Sequence, residues 1–450
     1  VTNIIRFSSV KCKDGWKRLS EILSHVRMGY INYFGRFIMN FEEISGERQL
    51  DFVRKFDYIR EAGTDGERKA AASIQEELRS FGLESRLEEF PFEAFEIQEA
   101  RFFITEPFEK EYLVTGYGKC GSTPSDGVEA PFLYAENGDD ISLSYAAGKI
   151  VMVNGPVRRD LYEKLVKAGA VAYLSISGSP IDEGEDLKPA LYSLPSMKET
   201  PIQGVCIHHR DAVDLVSRGA SRARLVLQQT LVQRTSANVA ARITGTEKPD
   251  EILTLTAHYD SVPAGPGAYD NISGGAIIME LCRYFNAHRP KRTMEFIWFG
   301  AEEKGLLGSQ EYVRAHEAEL SSHQFNMNVD LAGQLVGGTV IGVTADPAIC
   351  QMITYMAHEI GLGMRTSNAI WGSDSNTFAW KGIPAMTLNR DGFGMHTRHD
   401  TVALISSWSL KRSAMLLGYI ADRLGNLPTF PFPKEIPAEF MEQLDKYFNR

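Results

Sequence analysis

The chain has little cysteine. Its five, Cys12, Cys120, Cys206, Cys282 and Cys350, are scattered over 450 residues with no CxxC pair. That excludes a disulfide framework and a cysteine-ligated zinc, and leaves the cysteines as small buried apolar residues. No run approaches about 18 uninterrupted apolar residues, so no membrane span is expected. There is no basic excess. Lys+Arg 48 against Asp+Glu 58 gives a net charge of −10, and without a basic stripe nucleic acid is not an expected partner. No internal repeat is visible at a period of about 20–50 residues. With 43% apolar and 24% charged residues, the chain is neither disordered nor fibrous, and its length predicts two or three domains.

Residues 1–40 are basic and aromatic but lack an apolar core ending in small residues. They are read as an extension of uncertain status rather than an export signal, with Met39 as an alternative start. The cytoplasm is therefore the expected location. Residues 41–99 are read as the N-terminal part of the main domain, helical from about 44 to 82, with Asp65 as the expected N-cap, Ala71, Ile74 and Leu78 at helical spacing and Gly82 as the stop. A strand follows from about Ser85. Residues 100–235 differ in texture: Gly, Pro and short apolar runs such as GKIVMVNG and VAYLSISGSP repeat strand and helix signals, with no ligand cluster. His208 and His209 are adjacent, and so point to opposite faces of a strand. They read as a strand end, not a ligand pair.

From 236 to 425 strands (EILTLTAH, RTMEFIWFG, TVIGVT, IPAMTLNR) alternate with helices of about 10–15 residues. That pattern predicts an α/β fold, a mostly parallel mixed sheet sandwiched by helices, with 100–235 inserted near its N-terminal part. The tail, 426–450, with its prolines and aromatics, is expected to lie over the surface. His288, His316, His323 and His358 fall on or beside predicted helices and are read as surface residues.

Acids and histidines recur where the strands of the 236–425 region should end. TLTAHYD carries His258 and Asp260, AYDNISGG carries Asp270, and FGAEEKGLLGS carries Glu302 and Glu303. FNMNVDLAG carries Asp330, and GFGMHTRHDT carries His396, His399 and Asp400. In open α/β sheets the carboxyl ends of the strands form the ligand crevice, so these loops can converge. Imidazoles and carboxylates without thiols suit zinc, or a related divalent metal, used for hydrolysis.

This ordered set closely resembles the M28 zinc peptidases, co-catalytic di-zinc exopeptidases that are mostly aminopeptidases. The inserted region, with KIVMVNG, KAGAVAYLSIS and VCIHHRDAVDLV, resembles a protease-associated (PA) domain. The resemblance implies two zinc ions and peptide substrates. It implies that His258 holds one metal and His396 the other, that Asp270 bridges them, that Glu303 and Asp330 each complete one shell, and that Glu302 is the general base. Ligating histidines usually hand their second N–H to a carboxylate. Asp260, counted with Glu302 in the catalytic set, is placed to serve His258, and Asp400 to serve His396. The family pattern HTxxDT selects His396 over His399, which is read as a rim residue.

Many relatives carry a tyrosine before that histidine as donor to the tetrahedral intermediate. Here Met395 stands there. Arg390 is one candidate substitute and also a candidate carboxylate clamp, with a structural ion pair as the other reading. Asp374 in WGSDSNTF is read either as a helix N-cap or as a substrate-binding residue. Three functions compete: an aminopeptidase, a carboxypeptidase or dipeptidase on the same scaffold, and a non-catalytic binding or receptor-like module, which the full ligand set disfavours.

Overall fold

The computed structural model describes residues 39–448. The expected N-terminal extension, except Met39 and Asn40, and Cys12 with it lie outside the described residues. The first helices are α1 (Gly46–Arg54) and α2 (Asp65–Ser80). The N-cap of α2 is Thr64, not Asp65: its Oγ1 accepts from Glu67 N at 3.5 Å, and Asp65 is the first helical residue. Glu67 reaches back to accept from Gly63 N at 2.6 Å, a variant of the reciprocal capping box.

Two long strands, β1 (Arg86–Glu106) and β8 (Arg222–Ile243), pair antiparallel from Arg86 opposite Ala240 to Glu106 opposite Arg222. They run from one hydrophobic core to a second. The positions 99/100 and 235/236, where the sequence texture changes, fall inside these strands. Between them lie β2 (Lys110–Tyr112), β3 (Val114–Gly116), β4 (Val128–Tyr134), α3 (Asp140–Leu143), β5 (Ile150–Asn154), α4 (Arg159–Lys167), β6 (Ala172–Ser177), β7 (Gln203–His208) and α5 (His209–Ser217). Strands β4, β5, β6 and β7 are parallel neighbours. Their core includes Met152, Tyr162, Tyr173, Leu174 and Val205. His208 ends β7 as expected, its Nδ1 accepting from Arg210 N at 3.1 Å.

After β8 come β9 (Lys248–His258), α6 (Ser273–Ala287), β10 (Arg292–Phe299), α7 (Leu307–Ala315), β11 (His323–Val329), β12 (Thr339–Thr344), α8 (Pro347–Glu359), β13 (Arg365–Asn368), α9 (Ser375–Trp380), β14 (Ala385–Arg390), α10 (Ser407–Asn426) and α11 (Ala438–Phe448). The sheet order is β13-β12-β14-β11-β9-β10-β8-β4-β5-β6-β7-β3. The central strands β14, β11, β9 and β10 are mutually parallel, and β12 and β8 flank them antiparallel. This is the expected mixed sheet between helices. Every residue of β10 is buried, as a strand covered on both faces requires. Phe296 and Trp298 point into the core shared with α1, α6 and α10, whereas Ile297 and Phe299 point into the core shared with α7, α9 and α11.

Two expectations are corrected. The tail is not a surface strap: Phe432 is buried, and α11 docks through Leu444, a Trp380–Phe448 stack at 4.6 Å and a Trp380 Nε1 donation to Asp445 at 2.8 Å. The apolar spacing of Phe440, Leu444 and Phe448 carries that helix. His323 is not at the surface either: it opens β11 fully buried, with Nδ1 2.7 Å from Thr254 Oγ1. Among the described residues no helix is long and apolar enough to cross a membrane.

Candidate active site

The four parallel central strands end on the same edge of the sheet, and their following loops carry the acids and histidines. His258 is the last residue of β9; Glu302 and Glu303 follow β10, Asp330 follows β11 and His396 lies in the loop after β14. Asp270 arrives from the turn before α6. His258 Nε2 lies 3.1 Å from Asp270 Oδ1, and His396 Nε2 lies 3.0 Å from Asp270 Oδ2. One carboxylate thus meets two imidazoles, one oxygen each. On the His258 side Asp330 Oδ1 stands 3.5 Å away, and Glu302 Oε2 3.9 Å. On the His396 side Glu303 Oε2 stands at 3.2 Å.

The local sequence explains how these groups are held. Asp260, fully buried, accepts from Glu302 N at 3.1 Å and Glu303 N at 3.2 Å, one oxygen to each, and its Oδ1 is also 3.3 Å from His258 Nδ1. It fixes the turn that sends the two glutamates to different partners. Ala301, just before them, has φ 51°, and Leu331, just after Asp330, has φ 68°. Such left-handed non-glycine residues cost about 1–2 kcal/mol each and cluster at functional turns. Asn271 ties the Asp270 turn to the end of β11: Nδ2 donates to Val329 O at 2.7 Å, and Oδ1 accepts from Gly274 N and Leu331 N. A Cβ on Gly274 would stand 2.4 Å from Asn271 Oδ1, which accounts for a glycine there.

Burial pulls the His258 pKa down, but the carboxylates around it, Glu302 foremost, outweigh burial and hold the ring well above 6.5. Asp270 is driven up by burial yet ends well below 3.8, because both histidines bond its charged form. Burial pushes Glu302 and Glu303 above 4.5; Asp330, Glu303 and Asp374 add to it at Glu302, and Asp270 at Glu303. The donor set fits two divalent ions. His258, Asp270 and Asp330 make one cradle, and Asp270, Glu303 and His396 the other. Glu303 Oε1 is buried without a hydrogen-bond partner, a donor atom still free for a cation. A further group, Glu295, Glu319 and His323, is not a comparable site. Arg242 already joins its two carboxylates, and Arg86 pairs with Glu295 at 2.7 Å.

Several sequence expectations change here. Asp400 does not serve His396. Its buried carboxylate accepts from Tyr269 N at 2.6 Å and Asp270 N at 3.0 Å, so it braces the shared carboxylate's backbone. Asp260 does lie beside His258, 3.3 Å from its Nδ1, and it also holds the Glu302–Glu303 backbone. Arg390 is neither a substrate clamp nor a donor to the intermediate: it is 5% exposed, and its guanidinium donates to Gln334 O at 2.7 Å and Leu335 O at 2.8 Å. It does not form the expected structural ion pair either; its partners are those two carbonyls and the Thr339 hydroxyl at 3.3 Å. Asp374 stands at the N-cap position of α9 but makes no capping bond. Both its oxygens are buried without a close hydrogen-bond partner, and burial, with Asp330 and Asp260 adding, pushes its pKa up to about 7 against a lowering by His258 and the Ser309 hydroxyl. Met395 is half-exposed. The Tyr447 phenol on α11 is raised to about 12, by burial first and then by the charges of Glu302 and Asp374, which puts that helix beside the site.

Arg60 escaped the sequence reading. It is fully buried and donates to the carbonyls of Phe56, Tyr58, Tyr259, Pro266 and Gly267, stapling the loops on both sides of His258 and Asp270. Glu67 escaped it too: buried behind the Gly300–Ala301 turn, it accepts from Ser236 Oγ at 2.5 Å. A single Arg or Glu in a helical stretch carries no spacing signal.

Comparison with known proteins agrees with this geometry. The sequence pattern of Peptidase family M28 matches residues 238–421, the stretch that supplies all five candidate ligands and Glu302. Leucine aminopeptidase 2 of Trichophyton rubrum is 30% identical over 355 residues, covering 69% of this chain and 70% of that protein. Carboxypeptidase Q of Mus musculus is 27% identical over 393 residues, covering 80% and 81%. A zinc aminopeptidase from Bacillus subtilis superposes with a TM-score of 0.72 at 23% identity, over 84% of this chain and 95% of its own, a likeness of fold. The extended match to the fungal enzyme, together with the family pattern lying on the strand-end loops that build the site, establishes that this chain belongs to peptidase family M28.

Proposed function

We propose that the chain is a metal-dependent exopeptidase that removes N-terminal residues from peptides, with two zinc ions held by His258, Asp270, Asp330, Glu303 and His396. The observation that carries this reading is Asp270 meeting one imidazole with each oxygen, with one further carboxylate on either side. Two ions in such cradles supply a polarised peptide carbonyl and a water acidic enough to attack near neutral pH. Glu302, whose own proton affinity is raised by burial, takes the proton of the attacking water and returns it to the leaving amine. Asp260 aims Glu302 and His258, and Asp400 with Arg60 holds the Asp270 turn.

The aminopeptidase direction is favoured over a carboxypeptidase by the polarity of the surroundings. Asp374 offers a buried carboxylate to a free ammonium group, whereas the guanidinium of Arg390 is turned onto two backbone carbonyls and the Thr339 hydroxyl. The carboxypeptidase Q relatives keep the second reading in play, and substrates separate the two. Aminoacyl chromogenic substrates should be cleaved, N-blocked peptides with a free carboxylate should not, and a chelator should abolish turnover that zinc restores. Cleavage confined to N-blocked peptides would reverse the assignment. The unit from about 100 to 235 is read as a PA-like insertion, supported by its own core.

A further inference from the structure

The ligands do not share one kind of support. The side chains of His258, Asp270, Glu303 and Asp330 are between 1% and 13% exposed, whereas that of His396 is 51% exposed. His396 also has φ 61°, a backbone conformation L residues avoid. Its loop is anchored at two ends. Before it, Gln334 Nε2 donates to Phe393 O at 2.6 Å and its Oε1 accepts from Phe393 N at 2.9 Å. After it, Asp400 is bonded to the Asp270 turn. Between those anchors a third grip comes from the other unit. In the short turn Gly184–Leu187 of the 100–235 region, Asp186 accepts from Arg398 Nε at 2.5 Å and Nη2 at 2.9 Å, and His399 Nε2 stands 3.0 Å from its Oδ2. A two-pronged guanidinium–carboxylate pair fixes orientation as well as distance.

We propose that Asp186 is a positioning residue for the Glu303–His396 half of the site: by gripping Arg398 and His399 it holds the His396 loop where that imidazole meets Asp270 and Glu303. The inserted unit then contributes to catalysis without supplying a reacting group. This rests on the two-metal reading above. The contact joins the partly buried Asp186 to the half-exposed Arg398 and His399, so its worth is modest, and its effect should be confined to one of the two cradles.

The test is stepwise zinc binding by competition with a chromogenic chelator, with turnover of an aminoacyl substrate followed beside it, on the full chain. In the wild type two ions should bind. Asp186→Ala should weaken one ion by about 3–10-fold while leaving the other unchanged. Its turnover should fall at limiting zinc and recover in excess zinc. The paired exchange Asp186→Arg with Arg398→Asp should restore most of the lost affinity, while Asp186→Arg alone should be worse than Asp186→Ala, because it sets two like charges together. Asp186→Asn, which keeps the size of the side chain, guards against a folding defect in the alanine variant. Wild-type affinities at both cradles in Asp186→Ala and Asp186→Asn overturn the clasp alone, as does equal weakening of both ions. A wild-type chain that binds fewer than two ions overturns the two-metal reading, and the clasp with it.

Discussion

The two halves of this molecule are built alike and charged differently. Each has parallel strands whose carboxyl ends open onto loops, β9, β10, β11 and β14 in one and β4, β5, β6 and β7 in the other. In the first, the strand ends lead to His258, Glu302, Asp330 and His396. In the second, β5, β6 and β7 end on Asn154, Ser177 and His208. Among the described residues none of the groups of three metal-ligating side chains falls in 100–235. The buried titratable groups there include Tyr117, Tyr162, Cys120 and Cys206, all pushed up by burial and so kept neutral. Topology supplies a crevice in both. The second half has one buried imidazole, His208, 3.1 Å from Asp182; only the first gathers several acids and imidazoles into groups able to hold cations and move protons.

The sharpest way to break this contrast is in the adjacent glutamates of the charged half. Glu302→Gln keeps shape and hydrogen bonding but removes the base, so turnover should fall about 10²–10⁴-fold with both metals retained. Glu303→Gln should lose metal first, because an amide oxygen is a poorer ligand than a carboxylate. Metal content and turnover measured side by side check the pair. An active Glu302→Gln, or one that alone loses metal, reverses the roles.

The next largest effect should be on folding. Arg60→Met leaves five carbonyls in the stapled loops without their donor. Removing a buried charge with that many partners costs about 3–5 kcal/mol. A fall of that size in the unfolding free energy from urea titration, with metal binding weakened as the Asp270 turn loosens, is the expected result.

How much of this was legible in advance follows from the same contrast. The convergence of the five candidate ligands and Glu302 was readable because strand ends, DN before glycines and paired glutamates recur as separate short motifs in one order. The sheet and the texture change of 100–235 were readable from periodicity. Arg60, Glu67 and the true work of Asp400 were not, because each acts on backbone groups brought close only by the fold. Asp400 follows His396 by four residues, and nearness in sequence suggested a side-chain pair; the chain instead turns it onto Tyr269 N and Asp270 N. Arg390 misled in the opposite way, a cation at a strand end whose partners turned out to be carbonyls of a neighbouring loop and the Thr339 hydroxyl.

Glu67 tests the charged half by pH. Burial raises its folded pKa to about 8 from 4.5. Between those values the unfolded chain has lost the proton and the folded chain keeps it. Stability from this group is therefore full below about pH 4.5 and is lost as pH rises toward 8. Glu67→Gln imitates the protonated form: its oxygen can accept from Gly63 N and its amide can donate to Ser236 Oγ. The variant should match wild type near pH 4.5 and exceed it at pH 8 by about 2–4 kcal/mol. Thermal melts across that range check it, and a pH-independent difference would mean Glu67 is ionised in the fold.

The smallest effect should come from the interior of the 100–235 half. Tyr173 is fully buried, and its hydroxyl has no close hydrogen-bond partner, only the weakly bonding thiol of Cys120 beside it. A buried hydroxyl so poorly partnered gains little and carries a desolvation cost of about 1–3 kcal/mol. Its ring still packs edge-on against Tyr117 at 5.2 Å and Tyr162 at 5.8 Å, and phenylalanine keeps those contacts. Tyr173→Phe should therefore be neutral or stabilising by up to about 1 kcal/mol, with turnover of an aminoacyl substrate unchanged. A loss of more than about 1 kcal/mol would mean that the hydroxyl is bonded in solution.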